Sequence, residues 1–174
     1  MTDLGPGSTL QAPARRCAEL LQARNQTLAV WESSAGGLIT AALVAVPGCS
    51  AFFAGGAVPY SLEARAALLG MGSDAFGAVR PCTEAYALLC ARHLRTLLGC
   101  DWALAETGTT GPSPNPYGDP PGRACFAIAG PMERTLGITI ADAGRAANMA
   151  TFAATALVLI ADVLAEYSAQ LSTR

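Results

Sequence analysis

Hydrophobic and polar positions along the chain alternate between two periodicities. From Ala14 to Arg24, Cys17, Leu20 and Leu21 recur at spacings of three and four, with Arg15, Arg16 and Glu19 around them, which predicts an amphipathic helix. Thr27 to Trp31 is a short β-prone run that enters Glu32-Ser33-Ser34-Ala35-Gly36-Gly37, and Leu38 to Val46 then reads as a helix stopped by Pro47-Gly48. Ala51 to Val58 predicts a second strand, loosened by Gly55 and Gly56. Helices follow over Leu62 to Leu69 and Thr83 to Leu98, closed by Gly70 and Gly99. Trp102 to Ala105 predicts a strand that opens into a loop, Glu106 to Pro112, prolonged by the Pro- and Gly-rich run Ser113 to Pro121. A loop of that length in a compact domain is usually functional or mobile. Ala124 to Ala129 and Thr135 to Ile140 predict two antiparallel strands joined around Gly130-Pro131, and a last helix begins near Asp142.

Strands alternating with helices, then a hairpin and a final helix, predict an α/β fold: a three-layer α/β/α sandwich with a mixed, mainly parallel sheet. Residues 1–13 are rich in Gly, Pro, Ser and Thr and read as a flexible lead-in, leaving residues 14–174 as one domain. Composition narrows the class further. Of the 174 residues, 52% are apolar and 14% charged, which excludes disorder and favours a symmetric homo-oligomer. The most apolar stretch, Met149 to Leu164, follows Asn148, is interrupted by Thr151, Thr155 and Asp162, and is shorter than the roughly 20 residues of a membrane span, so it reads as a buried helix. The start of the chain lacks a basic patch followed by an apolar block, and a cytoplasmic location is the expectation. Six cysteines without a CxxC pair read as buried thiols, and no metal site is predicted. A net charge of −2 with scattered arginines gives no stripe for tracking a phosphate backbone, so nucleic acid is not an expected partner.

Two junctions, Glu32 to Gly37 and Glu106 to Pro112, set hydroxyls beside glycines. Glycine at the end of a strand lets the backbone bend and approach a ligand, and a following helix offers free amides to an anion. Each junction taken alone is also an ordinary turn.

The stretch Leu28 to Ile39 with Val46-Pro47-Gly48-Cys49-Ser50, the segment Gly55 to Arg65, and the block Ala103 to Pro112 followed by Pro121-Gly122-Arg123-Ala124 resemble, in order, the CinA carboxy-terminal-domain family. The resemblance covers roughly Leu28 to Ala129. It implies hydrolysis of the carboxamide of nicotinamide mononucleotide to nicotinate mononucleotide and ammonia, with a pyridine mononucleotide as substrate and no cofactor. On it, Ser33 is the attacking hydroxyl, and backbone amides from Ser34 to Gly37 donate to the oxyanion. Thr107 and Thr110, beside Gly108, hold substrate oxygens or share a proton relay. Tyr60 orients the nicotinamide or relays a proton, or packs over the sheet edge. Arg123 or Arg145 pairs with the 5′-phosphate. Three positions depart from the family pattern, among them Pro59, which precedes Tyr60 where a less rigid residue is common. Arg65 stands where a lysine is usual, and a guanidinium binds anions but takes no proton. Glu106 replaces an apolar residue, so a desolvated Glu32 or Glu106 is a candidate base, Glu32 first, or else a structural hydrogen-bond partner. His93, the only histidine, lies on a predicted helix and reads as locally bonded or solvated. The alternative to turnover is a protein of this type that binds a nucleotide or small ligand without converting it; a regulatory subunit is a third reading.

Overall fold

The computed structural model describes residues 9–173. The first eight residues of the expected lead-in lie outside them. Helix α1 spans Gln11–Gln22, starting three residues before the predicted Ala14, because Pro13 sits in the first turn, where a missing amide donor costs nothing. β1 (Leu28–Trp31), α2 (Leu38–Val44), β2 (Phe53–Ala57), α3 (Leu62–Leu69) and α4 (Glu84–Leu98) follow. α3 matches the predicted bounds: Ser61 accepts from the Ala64 amide at its start, and Gly70 ends it in the left-handed region at φ 66°. Thr83 caps α4 in the same way, through the Tyr86 amide.

Strands β3 (Trp102–Thr109), β4 (Arg123–Ala129) and β5 (Arg134–Thr139) complete one five-stranded sheet, in the order β2-β1-β3-β4-β5. β1 runs parallel to β2 and β3, and the remaining pairings are antiparallel. The sheet is therefore mixed, as predicted, and open, with its four pairings divided evenly between parallel and antiparallel. β3 is four residues longer than expected: Glu106, Thr107, Gly108 and Thr109 read as a loop, yet pair in register with Phe126, Cys125, Ala124 and Arg123. The partner strand overrides their turn-like composition.

Leu28 and Val30 of β1, Trp102 and Leu104 of β3, and Phe126 and Ile128 of β4 pack against α1, α2 and α5 (Arg145–Ser172). On the other face the same strands present mainly alanine, at Ala29, Ala103, Ala105, Ala127 and Ala129, and these short side chains let α4 sit close. α5 starts at Arg145, not Asp142. Gly144 adopts φ 88°, and the Asn148 amide ties the residues before it, donating to Asp142 (2.8 Å) and accepting from the Ala143 amide (3.2 Å). By length and composition α5 is apolar enough to cross a membrane, but half of its most apolar window is buried within the fold, including Phe152, Leu157 and Ile160. It is a core helix, as the interrupted apolar pattern predicts.

All six cysteines are free; five are buried and Cys49 is half-buried. Burial pushes the Cys17 and Cys90 thiols up to about 12. Under native conditions a thiol-disulfide reagent at pH 8 is expected to modify Cys49 first and to leave Cys17 and Cys90 unmodified until urea unfolds the chain, which peptide mass mapping reads directly.

Candidate active site

The connection leaving β1 crosses one face of the sheet through α2, and the connection entering β3 crosses the other through α4. The carboxyl ends of these two adjacent strands therefore border a crevice. β1 stops pairing at Trp31 while β3 continues to Thr109, so the segment from Glu32 to Gly37 turns away beside an extended strand. Gly36 and Gly37 make that turn at φ 67° and 97°, values in the left-handed region that a side chain would strain.

Glu32 folds back on the helix it precedes. Its carboxylate accepts from the amides of Gly37 (2.8 Å), Ile39 (3.1 Å) and Thr40 (2.7 Å), satisfying donors at the N-terminus of α2 that Gly37, lacking a side chain, cannot cap. An anion there is also favoured by the helix dipole. Fully buried and bonded to three amides, Glu32 does not line the crevice; its carboxylate ties the loop to the start of α2.

Glu106 performs a parallel task from β3. One carboxylate oxygen accepts from the amides of Ser33 (3.0 Å) and Ala35 (2.9 Å), and the other from the Ser34 hydroxyl. Gly108 permits this: a Cβ there would sit 2.7 Å from the Ser34 Oγ. Glu106 is 0% exposed, and burial raises its carboxyl from 4.5 to about 6 despite the three donors, with Glu32 adding repulsion. Between those values the folded chain binds more protons than the unfolded one, so this group's contribution to stability is lost as pH rises through the window. The shift corresponds to about 2 kcal/mol. Glu106→Gln is accordingly expected to gain about 2 kcal/mol relative to wild type between pH 4 and pH 7, read from urea unfolding at both values. A difference that is flat or of opposite sign contradicts the assignment.

The crevice encloses about 400 Å³, a volume suited to a small ligand. Ser33 and Ser34 come from the β1 loop, and Thr107, Gly108, Thr109 and Thr110 from β3 and its continuation. The Ser33 hydroxyl makes no hydrogen bond among the described residues, whereas Thr107 Oγ1 accepts from the Cys82 amide (3.3 Å). Two guanidiniums line the same space. Arg65 is 7% exposed, stacks 5.5 Å from the Tyr86 ring, and donates to the carbonyls of Pro59 (3.2 Å) and Tyr60 (3.4 Å). Arg145, at the start of α5, donates to the Gly111 carbonyl (2.8 Å) and the Tyr60 hydroxyl (3.2 Å). Neither takes part in the salt bridges found among the described residues, so both charges remain available to an anion. The loop after β3 forms the remaining wall and is firmly tied. Asn115 bonds Asp119, which pairs with Arg80 at 2.6 Å, and Arg80 lies over Tyr117.

The structure thus gathers Ser33, Ser34, Tyr60, Arg65, Thr107, Gly108, Thr110 and Arg145 around one cavity. It leaves Glu32, Gly36, Gly37 and Arg123 outside its lining. Arg123 points along the sheet toward β5, with Nη1 3.4 Å from the Ile138 carbonyl beside Gly137. Of the amides expected to hold an oxyanion, those of Ala35 and Gly37 are taken by the two glutamates, while Ser34 is among the residues lining the cavity. His93, expected to be locally bonded or solvated, instead bonds the carbonyl of Leu69 at the end of α3, at 2.7 Å. Sequence reasoning missed Cys82, Thr109 and Tyr117 in the wall, and Asn148, which is fully buried and donates to the Thr110 carbonyl (3.1 Å). A lone amide beside an apolar helical stretch was the available signal for Asn148.

The family model described as the CinA C-terminal domain matches residues 10–164. A CinA-like protein of Synechococcus sp. (strain CC9902) is 43% identical over 114 residues, 64% of this chain and 26% of that protein. One from Prochlorococcus marinus (strain MIT 9313) is 36% identical over 125 residues, 72% of this chain and 29% of that protein. The chain spans about a quarter to three tenths of the length of such curated relatives. Among solved structures, a competence-damaged protein (CinA) superfamily protein from Klebsiella pneumoniae superposes with a TM-score of 0.82 at 28% identity, covering 90% of this chain and 98% of that one. A competence/damage inducible protein from Agrobacterium tumefaciens gives 0.80 at 28% identity, covering 93% and 98%.

Proposed function

The chain belongs to the CinA C-terminal domain family, and from that premise we propose that its crevice hydrolyses the carboxamide of nicotinamide mononucleotide to nicotinate mononucleotide and ammonia. The observation that supports this most is Ser33: an unbonded hydroxyl in a small-ligand cavity, on a loop fixed from both sides by buried carboxylates. In this reading the Ser33 oxygen attacks the carboxamide carbon, the Ser34 amide donates to the developing oxyanion, and ammonia leaves before water releases the acid. Arg145 and Arg65 supply positive charge for the phosphate, and Tyr60, whose hydroxyl Arg145 holds, borders the ring. Incubation of purified protein with the nucleotide and separation of the products by chromatography tests the reading.

A second reading, ligand binding without turnover, is favoured by Arg65. Its guanidinium, oriented by the Pro59 and Tyr60 carbonyls, can bind an anion but cannot take the proton of Ser33. Heat of binding without product in calorimetry would select that reading.

A further inference from the structure

One fully buried carboxylate, on a strand that the Ser33 loop does not pair with, gathers three donors from consecutive residues of that loop. We propose that Glu106, assisted by Ser34, is the positioning residue for Ser33, and that its ionisation determines whether the loop is held against β3. The catalytic consequence rests on the amidohydrolase reading above; the positioning does not.

As a carboxylate, Glu106 has acceptor capacity for all three donors, and its charge strengthens each bond. A proton removes that charge and turns one oxygen into a donor, so the Ser34 hydroxyl must reverse its role and both amide bonds weaken. Among the described residues the Ser33 and Ala35 amides bond no acceptor but Glu106, and the pairing of β1 with β3 has already ended at Trp31. The charged groups around Glu106 are few. Glu32 faces it from the end of β1 and raises its proton affinity. α2 carries no titratable side chain, and in the first four turns of α5 the only one is Arg145, whose guanidinium is engaged by Gly111 and Tyr60. The carboxyl itself is pushed up to about 6, so the change falls within a range a cell or an assay buffer can reach.

Nuclear magnetic resonance on the full chain, labelled with ¹⁵N and ¹³C, tests this between pH 4.5 and pH 8. The Glu106 carboxyl signal, identified by its loss in Glu106→Gln, and the Ser33 and Ala35 amide signals are expected to move with one shared midpoint near 6. In Ser34→Ala that midpoint is expected to rise, because a donor favouring the charged form is gone. In Glu106→Gln the two amides are expected to stop titrating; if that variant does not fold, Ser34→Ala carries the test. Amides that do not follow Glu106, or a midpoint unmoved in Ser34→Ala, overturn the proposal. Turnover measured on the same samples separates the two claims. Under both, the acid limb of kcat/KM follows the shared midpoint and rises with it in Ser34→Ala. A shared midpoint with no product at any pH removes the amidohydrolase reading and leaves the positioning in place. Turnover with flat amide signals removes the positioning alone.

Discussion

Ser33→Ala is expected to lower ammonia release from nicotinamide mononucleotide by at least about 10³-fold in kcat, with the fold unchanged. The size of the effect follows from the chemistry: without an attacking oxygen, only substrate binding and the oxyanion donor remain, and these support a small residue of catalysis. The structural cost is small, because the Ser33 hydroxyl has no partner among the described residues and its backbone amide, which the substitution retains, makes the bond to Glu106. Unfolding free energy is expected to change by no more than about 0.5 kcal/mol. Activity and urea unfolding measured on one preparation therefore separate a missing nucleophile from a damaged fold. A variant that keeps more than about a tenth of wild-type kcat would place the attacking group elsewhere in the cavity.

Glu32→Ala is expected to have the largest effect on stability, a loss of about 3 to 5 kcal/mol. Two α2 amides and that of Gly37 just before the helix point at this carboxylate, and it is 0% exposed. A charge-assisted bond contributes about 1.5–3 kcal/mol, and the three share one acceptor group, so their sum is an upper limit rather than the expectation. Removing the carboxylate leaves the Ile39 amide without its partner in the core and takes a favourable charge from the helix terminus. Urea unfolding of Glu32→Ala, with Glu32→Gln beside it, checks the account. Gln keeps one acceptor oxygen but brings an NH₂ toward amide donors, so it is expected to recover only part of the loss. A cost below about 1 kcal/mol for Glu32→Ala would mean that the cap does not hold the loop.

Elements bounded by strong local signals were legible in the sequence. α3 and α4 have a hydroxyl cap in front and a left-handed glycine behind, and both agree with their predicted bounds within one residue. What escaped was set by partners distant in the chain. Glu106 to Thr109 has the composition of a turn and becomes strand only because β4 lies alongside. The polar cavity-lining residues followed similar logic. Hydroxyls beside glycines at strand ends do converge, and so do Tyr60, Arg65 and Arg145. The directions of Glu32 and Arg123 were not legible, since spacing does not reveal that a carboxylate turns back onto amides five to eight residues ahead, or that an arginine lies along its own sheet. Glu106 is instructive in the other direction. Its departure from the family pattern was visible in the sequence, but its partners, the Ser33 and Ala35 amides and the Ser34 hydroxyl, appear only once β3 extends past the end of β1.

The most direct measurement is the simultaneous quantification of ammonia and nicotinate mononucleotide formed from nicotinamide mononucleotide by the wild-type chain at pH 7.5. Both are expected to appear in equal amounts with repeated turnover per chain; nucleotide recovered intact from a protein that binds it would contradict the proposed hydrolysis.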